Sequence, residues 1–211
     1  MKNSLYDPNF EHDACGVGMV ADLTAQPTHA TVYDALTILE NLEHRGATGA
    51  DPDSGDGAGL LVQMPDGFIR TLFGGDVPEP GEYGIAHWMI PKDLDLEFAR
   101  STIDHALARV GLVSAGWRNV PVDSGLLGAG SRASEPHFAQ QLIVRSRDAP
   151  ANDLERALYC ARKIIEHTID IYASSCSTTV LIYKGMLTSP QLRQYFADLR
   201  DERLTLSLIH I

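Results

Sequence analysis

Cysteine is scarce in this chain, and the few present cannot be arranged into a framework. Cys15, Cys160 and Cys176 are the three cysteines, far apart and with no C-x-x-C among them. An odd number at such spacing argues against a disulfide scaffold or a zinc knuckle and fits a reducing cytoplasm. Long apolar runs are missing too. None approaches the ~20 residues that cross a bilayer, and the N-terminus lacks the apolar core of a secretory signal. Positive charge is the minority sign: 17 Lys and Arg stand against 28 Asp and Glu, a net charge of −11. That balance argues for no nucleic acid and no membrane as partner. The eight histidines form neither H-E-x-x-H nor H-x-H, so no metal site is expected. No internal repeat or low-complexity tract interrupts the chain.

What is there reads as a soluble globular chain. With 211 residues, 44% hydrophobic and 21% charged, it is one domain or a little more, long enough to bury a core. Residues 15–22 read as a buried strand. Thr28 is a candidate N-cap for a helix whose apolar residues Val32, Ala35, Leu36, Leu39 and Leu42 fall on one face, with Gly46 as its stop. Strands are expected over 58–64, 83–90, 113–120, 138–144, 178–183 and 204–209. Helices are expected over 65–73, 94–110, from a cap at Asn152 to about 172, and over 189–199, with 121–136 left as loop. Such alternation is compatible with a doubly wound parallel sheet.

Chemistry concentrates at Cys15. It heads a small apolar run, and the fourteen residues before it show no periodicity. Those residues read either as a propeptide or as a flexible terminus. Cleavage before Cys15 would give one residue both a thiol and a free α-amine. That amine titrates near ~7.7–8.0, so its neutral fraction can take the thiol proton, as with other nucleophiles paired with an N-terminal amine. Gly16 and Gly18 leave room for a substrate beside the backbone. The competing reading makes Cys15 a small buried hydrophobe on a strand. Arg45 has two readings as well: a cation complementing the end of the first helix, or a site residue. The stretch over 51–59 opens like an EF-hand loop but fails at Gly55, Asp56 and Val62, and no Gly-Lys-Ser/Thr makes it a phosphate loop. On composition it is a glycine-rich turn into the next strand.

Longer motifs decide between these readings. LYDPNFEHDACGVG, LENLEHRGATGADPDSGDGAG, GWRNVPVD and YKGML, in that order, resemble the class II, N-terminal nucleophile glutamine amidotransferases. Within that class the wording is similar to the start of the glutamate synthase large-subunit family, and the similarity runs from Leu5 to about His210. The resemblance implies an α+β fold, the four-layer αββα sandwich of N-terminal nucleophile hydrolases. It implies a propeptide over 1–14 and an amidotransferase domain over 15–211, with Cys15 as the catalytic nucleophile. Arg45, Gly46, Asp56 and Gly57 are then substrate-binding or site-shaping residues.

The same resemblance implies L-glutamine as substrate and hydrolysis to glutamate and ammonia, with the ammonia used in reductive amination of 2-oxoglutarate. An arginine segment, an Asn-Gly oxyanion pair and an acidic residue would follow His210 in that family. The domain is therefore expected to be incomplete, a C-terminally truncated fragment with little activity of its own. No cofactor is expected in 1–211, while FMN and an iron–sulfur cluster are implied for the full-length protein. Partners implied are the remaining domains of the same polypeptide and, as electron donor, a small subunit or ferredoxin. Another class II amidotransferase, or a non-catalytic module of the same fold, are the alternatives.

Overall fold

The structure is a computed structural model that describes residues 16–48, 51–149 and 153–211. Cys15, the propeptide expected over 1–14 and Asn152 lie outside the described residues. Among those described, two four-stranded sheets form, and every pairing is antiparallel. The first has the order β1 (Met19–Ala21), β8 (Leu208–His210), β2 (Ala58–Gln63), β7 (Val180–Gly185). The second has the order β4 (Leu112–Asn119), β5 (His137–Arg145), β3 (Tyr83–Ile90), β6 (Tyr172–Ser177). Helices α1 (His29–Asn41) and α6 (Ser189–Tyr195) pack on the first sheet, and α3 (Leu96–Arg109) and α5 (Leu154–Thr168) on the second. This is the expected αββα sandwich. A doubly wound parallel sheet is excluded.

Local chemistry explains most boundaries. Thr28 caps α1, its side chain accepting from the Thr31 N–H, and Val32, Ala35, Leu36 and Leu39 are buried. Asp95 caps α3 through the Phe98 N–H. α5 is capped by Asp153, which accepts from Glu155 N–H. β3 is buried along nearly its whole length because both its faces are used. Tyr83 and Ile85 enter a core shared with Leu60, Val62, Leu181, Tyr183 and Ile209 of the first sheet. Ala86, Trp88 and Ile90 enter a second core with Ile103 and Leu107 of α3 and Leu158 and Ile165 of α5.

Several expected boundaries move. The first strand shortens to Met19–Ala21, and Gly46 ends a 3-10 turn, Glu43–Arg45, in extended rather than left-handed geometry. The fifth helix ends at Thr168, because Tyr172 already begins β6. That strand carries Ser174, Ser175 and Ser177 in place of β-branched residues. They can be buried because Ser174 Oγ donates to Ile182 O at 2.9 Å and Ser175 Oγ accepts from Ile182 N–H at 3.1 Å. Residues 121–136 are not all loop: they hold a 3-10 turn, Ser124–Leu126, and α4 (Ala129–Ala133). The helix expected over 189–199 breaks at Phe196, which is extended, and resumes as a 3-10 turn, Ala197–Arg200. The last strand is only Leu208–His210. Leu204 and Leu206 are buried without joining it.

The GWRNVPVD motif helps tie the two sheets together. Arg118 on β4 forms a two-pronged ion pair with Asp198 and donates from Nε to Gln140 Oε1 at 2.8 Å. Tyr183 Oη on β7 donates to Asp198 Oδ2 at 2.8 Å. Burial, with the Asp198 carboxylate next to it, holds the Tyr183 hydroxyl well above the ordinary phenol range. Beside this network sits His87 on β3, fully buried, ringed by Phe138, Tyr183 and Phe196, with centroids 5.3–6.2 Å away. Neither of its ring nitrogens has a hydrogen-bond partner among the described residues.

Candidate active site

Of the sequence-predicted site residues, the structure brings four together and places Cys15 outside the described set. Gly16, bonded to Cys15, lies on the turn that follows α1. A Cβ built on Gly16 would stand 3.2 Å from the Cβ atoms of both Leu42 and Arg45. The approach to strand β1 is thus docked, at Gly16, against the turn that carries Arg45, which is exposed. The same strand pairs with the end of the chain: Gly18 N–H donates to Ile211 O at 3.3 Å, and Ile211 N–H to Gly18 O at 2.8 Å.

The segment over 51–57 folds back onto that turn. Asp56 N–H donates to Ala47 O at 3.0 Å, and Thr48 and Gly55 form an antiparallel bridge. Asp56 Oδ1 lies 3.6 Å from where a Cβ on Gly46 would be, which sets Asp56 beside the Arg45-Gly46 pair. Two glycines are required here. Gly57 has φ +140°, a conformation that side chains rarely adopt. Gly55 is pressed on backbone, since a Cβ there would stand 2.2 Å from the carbonyl carbon of Leu187.

Asp56 and Gly57 open onto a cavity of about 830 Å³, lined also by Leu61, Tyr172, Lys184 and Glu135. Strand alternation accounts for the mixed lining. Leu60 and Tyr183 of the β2–β7 pair are in the core, so Leu61, Ile182 and Lys184 point the other way. Lys184 Nζ donates to Tyr172 Oη at 2.6 Å and lies 4.5 Å from that ring's centroid. Glu135 is buried and accepts from Lys92 Nζ at 2.5 Å, Ser124 Oγ at 2.7 Å and Tyr195 Oη at 2.7 Å. Burial pushes the Glu135 carboxyl up, but these three donors outweigh it and hold it below the usual range. Burial and the bond to Glu135 hold the Tyr195 hydroxyl far above the ordinary phenol value.

Sequence reasoning missed Glu135, Tyr195 and Gln191. Gln191 alone left a readable trace: Thr188 three residues before it makes a T-x-x-Q capping pattern, and the structure has that capping box at the start of α6.

The other two cysteines lie in regular secondary structure. Cys176 on β6 is buried, and burial pushes its thiol up to about 12. Cys160 sits within α5. Among the described residues no group of three His, Cys, Asp or Glu side chains is placed to take a metal. Among the described residues no helix is long and apolar enough to cross a membrane.

Comparison with known proteins bears directly on this arrangement. The family described as class-II glutamine amidotransferases matches residues 15–211, so the match begins at Cys15 itself. The chain is 39% identical to the glutamate synthase [NADPH] large chain of Bacillus subtilis, over 98% of this chain and 14% of that protein. It is 35% identical to the glutamate synthase [NADH] of Saccharomyces cerevisiae, over 99% of this chain and 11% of that protein. It is also 35% identical to the ferredoxin-dependent glutamate synthase 2 of Synechocystis, over 92% of this chain and 13% of that protein. The chain therefore spans about a seventh of the length of these relatives or less. With a match that starts at the cysteine, covers the turn, the 51–57 segment and both sheets, and ends with the chain, this protein belongs to the class II glutamine amidotransferases.

Proposed function

We propose that this chain is the glutamine-hydrolysing part of a glutamate synthase and that Cys15, freed by removal of residues 1–14, is its nucleophile. The observation that carries the reading is the coincidence of two boundaries: the family match begins at Cys15, and Gly16 packs on the Arg45 turn. Chemistry supports the choice of cysteine. Cys176 is buried, with its thiol pushed up to about 12, the inert type.

In this reading the α-amine of Cys15 takes the thiol proton, and Sγ attacks the side-chain amide carbon of L-glutamine. The C–N bond breaks, and the proton passes to the leaving ammonia, general acid–base work worth ~10²–10⁴-fold. A γ-glutamyl thioester remains, and water cleaves it to glutamate, restoring the thiol. Arg45 and Asp56, on facing segments, shape the substrate end of the site, and Gly46 and Gly57 leave room for it. The ammonia passes to the remaining domains of the same polypeptide. There 2-oxoglutarate is aminated and reduced, in a cytoplasmic enzyme that carries FMN and an iron–sulfur cluster outside residues 1–211. Electrons come from a small subunit or from ferredoxin; by name the relatives use NADPH, NADH or ferredoxin.

The test is ammonia release from glutamine by the purified full-length protein and its Cys15→Ser variant. The variant keeps a hydroxyl nucleophile but loses the thiolate, so glutamine use should nearly vanish while amination with added ammonium persists. Unchanged glutamine use in Cys15→Ser would refute the assignment.

A further inference from the structure

The 51–57 segment carries two of the proposed site residues, yet it lacks regular secondary structure of its own. Something outside it must fix its position. Two contacts come from α4 and its approach, and a third lies within the segment itself. Ser54 Oγ accepts from Ser131 N–H at 3.1 Å, Gly128 N–H donates to Asp53 O at 3.0 Å, and Ser54 Oγ donates to Asp51 Oδ2 at 3.0 Å. The fourth comes from a residue 138 positions away. Gln191 Nε2 donates to Asp53 O at 2.9 Å and to Leu126 O at 2.8 Å. Its other end is committed as well, since Gln191 Oε1 accepts from Thr188 N–H at 2.8 Å.

This arrangement leaves no choice of amide orientation. The nitrogen faces two carbonyls and the oxygen faces an N–H, so a flipped amide would set oxygen against two acceptors. One side chain thereby joins three segments: the start of α6, the 3-10 turn over Ser124–Leu126, and the 51–57 segment. Asp53 O uses both lone pairs, on Gly128 N–H and Gln191 Nε2. Three residues further along, Asp56 is held to Ala47 and beside Gly46. An ordinary capping glutamine needs only its oxygen. Here the amide nitrogen is used in addition, and it is aimed at the site segment.

We propose that Gln191 is a positioning residue for the glutamine site: its amide nitrogen clamps the 51–57 segment and thereby holds Asp56 and Gly57 against the Arg45 turn. The inference rests on the glutaminase reading for its consequence in catalysis, but the clamp itself is testable without it. Gln191→Glu isolates the nitrogen. A carboxylate still accepts from Thr188 N–H and preserves the cap, but it faces the carbonyls of Asp53 and Leu126 with no proton to donate.

The experiment compares wild type, Gln191→Glu and Gln191→Met in the full-length protein. Peptide-resolved amide hydrogen exchange and glutamine hydrolysis are the readouts. In Gln191→Glu, exchange over 48–60 should rise about tenfold, the scale of two withdrawn hydrogen bonds, while α3 and α5 exchange as in wild type. KM for glutamine should rise about tenfold with kcat within about threefold, the pattern of lost binding-site shape. Gln191→Met, which also loses the cap, should show the same local effect and start to loosen α6. Should wild type fail to hydrolyse glutamine while the 48–60 exchange still rises in Gln191→Glu, the clamp stands and the glutaminase reading falls. Unchanged exchange over 48–60 in Gln191→Glu overturns the clamp. Exchange that rises equally throughout the chain overturns it too, because Gln191 would then be merely structural.

Discussion

Replacing His87 with leucine should remove much of the protein's sensitivity to mild acid. His87 is fully buried against Phe138, Tyr183 and Phe196, and both its ring nitrogens lack partners among the described residues. The charged and titratable groups around it are Arg118 on β4, Tyr183 on β7 and Asp198, which pairs with both of them. Burial first, and then the Arg118 guanidinium, push the imidazole down to about 3 from its ordinary 6.5. The folded state therefore holds His87 neutral, while the unfolded chain protonates it below 6.5. Stability contributed by the neutral form is complete above pH 6.5 and is lost as pH falls towards 3, at about 1.4 kcal/mol per pH unit. From pH 7 to pH 5 this amounts to about 2 kcal/mol. Leucine has a similar volume and no polar atoms to leave unpaired, so His87→Leu should be at least as stable at pH 7. Equilibrium urea unfolding at pH 7 and pH 5 reads the difference directly. Carboxylates such as Glu135 lose stability with acid in both proteins, so the subtraction isolates His87. Equal losses in wild type and His87→Leu would refute the reasoning.

Two further perturbations follow from the packing. Asp198→Ala would leave the largely buried Arg118 guanidinium without its carboxylate and remove the acceptor of Tyr183 Oη. It should cost about 3–5 kcal/mol in denaturant unfolding, and a loss under 1 kcal/mol would show that the inter-sheet network contributes little. Gly55→Ala would set a methyl 2.2 Å from the Leu187 backbone, whereas Gly67→Ala in α2 (Asp66–Phe73) meets nothing within 4 Å. The first should destabilise by about 1–3 kcal/mol and impair glutamine use, and the second should be neutral or stabilising by up to about 1 kcal/mol. Equal melting temperatures for the two variants would contradict the close approach at Gly55.

Elements that announce themselves locally were legible in the sequence. The apolar run of β3 fits its bounds, and the spacing of Val32, Ala35, Leu36 and Leu39 behind Thr28 fits α1. β6 was not legible, because its serines are buried only by virtue of bonds to β7 that no local pattern encodes. The overextended final strand has the same origin. Leu204 and Leu206 are apolar because they pack, yet only Leu206 pairs, and with Thr28 rather than with a strand. In the site, Cys15 and the Arg45 turn stood out through long motifs, and the structure places Arg45, Gly46, Asp56 and Gly57 on facing segments. The T-x-x-Q pattern marks Gln191 as a cap, but the long-range contacts of the side chains that hold those segments were not legible. Glu135 meets Tyr195 across 60 positions and Gln191 meets Asp53 across 138, and such proximity is a product of the fold.

Everything proposed about activity rests on one residue becoming an N-terminus. Mass spectrometry of the active full-length protein, before and after reaction with a glutamine analogue bearing an electrophile at the γ-position, tests this directly. The account predicts an N-terminal peptide that begins with Cys15 and carries a single adduct there, with activity lost in step. Active protein that retains residues 1–14, or inactivation that follows labelling of Cys160 or Cys176 instead, would contradict it.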